Sequence, residues 1–176
     1  MAFEIEGYGP AVARILDAYG GGARLMPLVH GACNAPAELQ SAVAGQLFTG
    51  SREPGAAMAG LYLYFSCWDQ AHEAADAVQN QDGSYWHAIV HRQEPDAGNS
   101  AYWFRQASPH PIYPKLREEA EKCGYPAGKA WDPFAFIDFC ESARRRPGSD
   151  EEMLAMRVQL AEWQLLFDHC AQRRNG

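Results

Sequence analysis

Seven residues at intervals of three and four, Ala57, Leu61, Tyr64, Trp68, Ala71, Ala75 and Val78, constrain this chain more than any other feature. At 100° per residue they fall on one face, which predicts a helix running to about Asn80. A strand over residues 61–65, five strand-prone residues in a row, is the competing reading. The face continues through Ala71 and Ala74 to Val78, so helix is preferred. Ala56, Ala57, Ala59, Gly60, Ala71, Ala74 and Ala75 would let a partner helix approach this segment closely.

The rest of the chain is punctuated in the same way. Pro10 opens a helix closed by Gly20, Gly21 and Gly22, and Asn34 is placed to cap a second helix carrying Leu39, Val43, Leu47 and Phe48. Residues 81–83 read as a turn, and Ser84 as the cap of a short helix that Pro95 ends at or before Glu94. A loop over residues 95–99 leads into one or two turns with Tyr102, Trp103 and Phe104, and Pro109, Pro111 and Pro114 then impose an extended passage. Helices follow from Lys115 to Cys123 with Gly124 as the C-terminal stop, from Asp132-Pro133 to Pro147, and from Ser149, paired with Glu152 in a capping box, to about Gln172. With no hairpin signal, repeat or low-complexity tract, the expected fold class is all-α. It is a single globular helical domain over residues 1–176, an orthogonal or bundle-like array of about six to eight helices.

A net charge of −7 argues against nucleic acid as a partner, since a non-specific binder needs a cationic face. Arg144, Arg145 and Arg146 read as the cation-rich end of a helix. The longest weakly polar run, residues 56–68, is too short for a membrane span. Cys33, Cys67, Cys123, Cys140 and Cys170 form no CxxC pair and read as reduced, mostly buried thiols. With no signal peptide visible in the first ten residues, the expectation is a soluble, cytoplasmic protein. A small-molecule ligand is the expected partner, and homo-oligomerisation stays open.

Chemistry concentrates in residues 83–113, which hold His87, His91 and His110, Trp86 and Trp103, and the charged set Arg92, Glu94, Asp96 and Arg105. Two arginines and two acids cancel there, so the remainder of the chain carries the whole −7. On a helix ending at Glu94, His87, His91 and Glu94 project from one face within two turns. Imidazoles four apart can ligate one metal, with His72 or His110 completing the set and Glu94 as ligand or general base. The spacing lacks the glutamate of HExxH, so it is not a zincin. The cofactor expectation is therefore a divalent transition metal on His87, His91 and His72.

The same residues admit a metal-free reading. His87 or His91 would be the acid or base, oriented by Glu94 or Asp96, while Arg92, Asp96, Asn99, Tyr102, Trp103, Arg105 and His110 hold a polar ligand bearing a carboxylate, phosphate or sugar. Against this stand ordinary structural roles: Trp103 and Phe104 as core, Arg92 paired with Glu94 or Asp96, and Asn99 as a cap.

Trp86, His87, His91, Arg92, Glu94, Asp96, Asn99, Tyr102, Trp103, Arg105 and His110-Pro111 together spell a pattern that resembles a group of bacterial and fungal proteins. Those proteins carry Trp/Tyr-His-x3-His-Arg-x-Glu-x-Asp, then Asn, Tyr-Trp-Phe/Tyr-Arg and His-Pro. The resemblance covers about 25 residues and comes with no assigned activity, so it implies where a site lies and no mechanism. The expected function is an enzyme, such as a hydrolase, acting on a small polar or anionic molecule through a histidine-centred site, metal-dependent or not. The alternatives are a non-catalytic ligand-binding module and a structural or partner-binding helical domain.

Overall fold

The computed structural model describes residues 3–173, and among these the architecture is all-α, with ten α-helices, a 3₁₀ turn at Glu6–Tyr8 and no strand. In order the helices are α1 Pro10–Ala18, α2 Ala37–Gln40, α3 Ala44–Leu47, α4 Pro54–Tyr64, α5 Trp68–Asp76, α6 Gln81–Gln93, α7 Ala97–Ala107, α8 Tyr113–Cys123, α9 Pro133–Ala143 and α10 Asp150–Ala171. None is long and apolar enough to cross a membrane.

The long helix expected over residues 57–80 is two helices. The chain turns at residues 65–67, where Ser66 takes a left-handed φ of 58°. Tyr62 and Leu63 carbonyls collect the amide donors of Phe65, Ser66 and Cys67 in this turn. A non-glycine residue there costs about 1–2 kcal/mol. The turn places Phe65 and Cys67, both 0% exposed, in the core and lets α5 fold back along α4.

Cys67 is joined to Cys33 by a disulfide, which corrects the expectation of five reduced thiols; Cys123, Cys140 and Cys170 remain free. The same tether explains why Asn34 caps nothing: its amide donates to the Phe65 carbonyl at 3.0 Å. The helix expected after it is broken into α2 and α3, with Val43 extended between them. Leu39 and Phe48 are nine residues apart, half a turn out of phase on a continuous helix. Both reach 0% exposure only because the helix breaks, and Val43 is left exposed instead.

Two helices form the centre. Eight of the eleven residues of α4 are buried, and α6 buries eleven of its residues, from Asp82 to Gln93 save Ser84. Gly60 makes their contact close, because a Cβ there would stand 2.5 Å from the Trp86 ring. The α6 helix begins earlier than Ser84: Asn80 Oδ1 accepts from the Gly83 amide at 3.0 Å, so Asn80 is the cap. Gly83 fits because a Cβ would lie 2.0 Å from the Val78 carbonyl oxygen. The α7 helix likewise starts earlier than expected, capped by Asp96, which accepts from the Asn99 amide at 3.0 Å.

The later boundaries agree with their sequence signals. Gly124 ends α8 with a left-handed φ of 98°, and Asp132 caps α9. Ser149 Oγ accepts from the Glu152 amide, while Glu152 reaches back to the Gly148 amide. Trp163 and Phe167 of α10 stack against Tyr64, Tyr8 and Phe48 in one contiguous core.

Candidate functional site

The four-residue connection from α5 to α6 folds the two helices side by side, and this brings His72 onto the face carrying His87 and His91. His87 Nε2 and His72 Nε2 stand 2.9 Å apart. The His87 and His91 rings, one turn apart, are nearly parallel at 5.0 Å, and His72 meets both edge-on, at 4.3 and 5.2 Å. One ring nitrogen from each lies within 4.8 Å of the others.

The walls of this cluster are aromatic. Trp68 stacks on His72 at 5.2 Å and is itself fixed by an Nε1–H bond to the Val90 carbonyl at 2.9 Å. Trp103 lies parallel to His87 at 4.0 Å. Glu94 Oε2 is 2.8 Å from His91 Nδ1, so a proton on Nδ1 is held there and Nε2 keeps its lone pair. The Asn99 amide nitrogen lies beside the same ring, 3.1 Å from Nε2 and 3.3 Å from Nδ1. Burial, followed by the neighbouring His72 and His91, pushes His87 down to about 4, while Asp76 acts weakly in the opposite direction. His87 is therefore neutral at pH 7. Its Nδ1 is buried without a hydrogen-bond partner, unlike that of His91.

His110 does not join this cluster. Its Nε2 donates to Asp82 Oδ1 at 2.9 Å in a second group that includes His169, whose Nε2 is 3.2 Å from the same oxygen, off the line of an ideal hydrogen bond. The other ring nitrogens decide what this group can do. His110 Nδ1 accepts from the Ile112 amide, and His169 Nδ1 faces the Arg52 guanidinium, each at 3.4 Å. Both histidines thus direct N–H groups, not lone pairs, at Asp82. The group is a clasp between α6, the proline-rich passage and α10, and its protons occupy the positions that a cation would need.

Arg92 also leaves the expected site. It is 1% exposed and points into the core, where its Nη2 pairs with Glu162 of α10 rather than with Glu94 or Asp96. Tyr85 donates to Glu162 at 3.0 Å, and Arg92 lies over the Phe136 ring at 4.7 Å. Arg144 donates to the Arg92 carbonyl at 2.9 Å. Asp96 serves as the α7 cap, and Arg105 is exposed on α7.

Tyr102 and Trp103 do face a cavity. A cleft of about 460 Å³ opens beside His87, between the end of α5, the start of α6 and α7. It starts one turn from each cluster helix: Asp76 is four residues after His72, and Ser84 three before His87.

Of the expected site residues, His72, His87, His91, Glu94 and Asn99 converge, and the Asp96 carboxylate, while capping α7, lies within 4.8 Å of the His91 and Glu94 ligand atoms; Tyr102 and Trp103 line the adjoining cleft, and Arg92, Arg105 and His110 lie elsewhere. Trp68, Asp82, Glu162 and His169 were not anticipated. Asp82 sits in what reads as a turn, and Glu162 and His169 lie on a long helix whose apolar face carries the visible signal. Compared with known protein families, curated sequences and solved structures, the chain finds no significant match in any of the three.

Proposed function

We propose that His72, His87 and His91 bind one divalent transition-metal ion and that the protein is an enzyme acting on a small polar molecule at that ion. The observation that carries this reading is the convergence of three imidazoles from two helices, with His87 held neutral by burial. His72, His87 and His91 would hold the ion, and a bound ion would supply Lewis-acid activation of water near neutral pH. Hydrolysis is the reaction class that would fit this chemistry best. Glu94 acts as a positioning residue, holding the His91 tautomer through Nδ1. The Asn99 amide, beside the His91 ring, would be placed to hydrogen-bond a bound water or substrate.

The direct His72–His87 contact supports a second reading, in which the three rings are a structural polar knot. One set of measurements separates them. Protein prepared without chelator or nickel resin should carry about one equivalent of Zn, Mn, Fe, Co or Ni. Adding the preferred ion at about 100 times its Kd should stabilise the fold by about 2.7 kcal/mol, and His91→Ala should abolish both effects. No stoichiometric metal and no stabilisation by any of these ions would leave the knot.

The Cys33–Cys67 bridge supports folding in an oxidising environment and weighs against the cytoplasmic placement expected from the N-terminal sequence.

A further inference from the structure

The cleft beside the histidines has a composition that narrows its ligand. Its volume, about 460 Å³, suits one or two sugar-sized rings. No lysine or arginine lines it, and its one charged side chain is Asp76. An anionic ligand would have to pair with hydrogen-bond donors alone while facing that carboxylate.

Some of the polar lining is already committed to the fold. Asn80 Oδ1 caps α6, the Gln79 amide donates to the Asp76 carbonyl, and the Gln81 amide donates to the Pro109 carbonyl. The Asp76 carboxylate, the Ser84 hydroxyl and the Gln106 amide make no side-chain hydrogen bond or ion pair among the described residues, and all three line the cleft. The α7 side, which carries Gln106, adds an aromatic wall: Tyr102, 49% exposed, packs edge-on to Trp103 at 5.3 Å. Alternating donors and acceptors around an apolar ring surface match a molecule with hydroxyls at its rim and C–H groups on its face.

We propose that this cleft binds a neutral or amino-substituted saccharide unit, its ring against Tyr102 and Trp103 and its hydroxyl or ammonium groups on Asp76, Ser84 and Gln106. This disfavours the phosphate and carboxylate ligands that the sequence also admits. Binding rests on the lining alone; the idea that the bound sugar is the substrate rests on the metal reading above. His87 is the one residue shared by the cleft and the three-histidine cluster, so a ligand filling the cleft would touch one of the residues proposed to hold the ion.

The test is a titration of metal-free protein, followed by tryptophan fluorescence and calorimetry, with a neutral monosaccharide and disaccharide, a hexosamine, a hexose phosphate and a uronate. Saturable binding of the neutral sugars and the hexosamine is expected with Kd of about 1 mM. The phosphate and uronate should bind about five- to tenfold more weakly at low salt, a gap that narrows as salt screens Asp76. Tyr102→Ala and Gln106→Ala should each weaken binding about tenfold. Both residues are exposed, so melting temperatures should stay at the wild-type value. Asp76→Asn should erase the discrimination against anions. Absence of saturable saccharide binding, preference for the anionic sugars, or binding indifferent to Tyr102→Ala and Gln106→Ala would each overturn the proposal. Failure of the metal reading looks different: saccharide binding persists while no ion is retained and His91→Ala changes nothing.

Discussion

Replacing Arg92 by Met tests whether this arginine belongs to the scaffold or to a binding site. The side chain is 1% exposed and its partner Glu162 is 0% exposed, so neither charge has solvent to fall back on. Arg92→Met leaves a buried carboxylate whose remaining hydrogen-bond donor is the Tyr85 hydroxyl at 3.0 Å. Stranding one member of a buried pair costs about 3–5 kcal/mol. At about 2–4 °C per kcal/mol for a chain of this size, the melting temperature should fall by about 6–20 °C. The pair itself is imperfect, however, because Arg92 Nε and Nη1 are buried without partners, at about 1–3 kcal/mol each. Removing both charges should therefore restore most of the loss. In Arg92→Met/Glu162→Gln the new amide oxygen still accepts from Tyr85, and stability should return to within about 1–2 kcal/mol of wild type. Urea unfolding of the four proteins in the cycle measures this directly. A single Arg92→Met variant within 1 kcal/mol of wild type, or a double variant showing the sum of the two single losses, would refute the buried-pair reasoning.

Acid should act on this fold in two separate windows. Burial pushes Asp82 up, but the His110 hydrogen bond and the His169 ring beside the same oxygen outweigh it and hold the carboxyl well below its usual range. A depressed carboxylate contributes stability present above its ordinary value of 3.8 and lost as pH falls below it, so Asp82→Asn should flatten the urea midpoint against pH below about pH 4; equal slopes in both proteins would count against the clasp. In metal-free protein the His87 imidazole should titrate by NMR near pH 4, and its contribution to stability should fade from 6.5 down to that value. A midpoint at or above 6.5 would show the ring to be solvated. Thiol titration of unfolded, unreduced protein should count three cysteines and, after reduction, five. Five before reduction would disprove the Cys33–Cys67 bond.

Local signals in the sequence settled the class of fold, and they did so where the determinant is itself local. Proline at the first helical turn, Asp132 and Ser149 as caps and Gly124 as a left-handed stop act on backbone groups within a few residues, so α8, α9 and α10 follow from reading along the chain. The one-face spacing of His87, His91 and Glu94 is local too, since it needs only a helix. What it could not include was the partner of each group. The break at Ser66 exists because Phe65 and Cys67 must both be buried and Cys67 must meet Cys33, and helical spacing continues across it without a sign. Arg92 and Glu94 are two residues apart on one helix and face opposite ways, one to Glu162 in the core and one to His91 at the surface. His72 and His110 were both candidates for the third imidazole, with His72 the one expected. Only the folding of α5 back onto α6 chose His72, while Asp82 and His169 claimed the protons of His110. Burial, hydrogen-bond satisfaction and charge pairing are decided between segments far apart in sequence, and so these assignments belong to the tertiary structure alone.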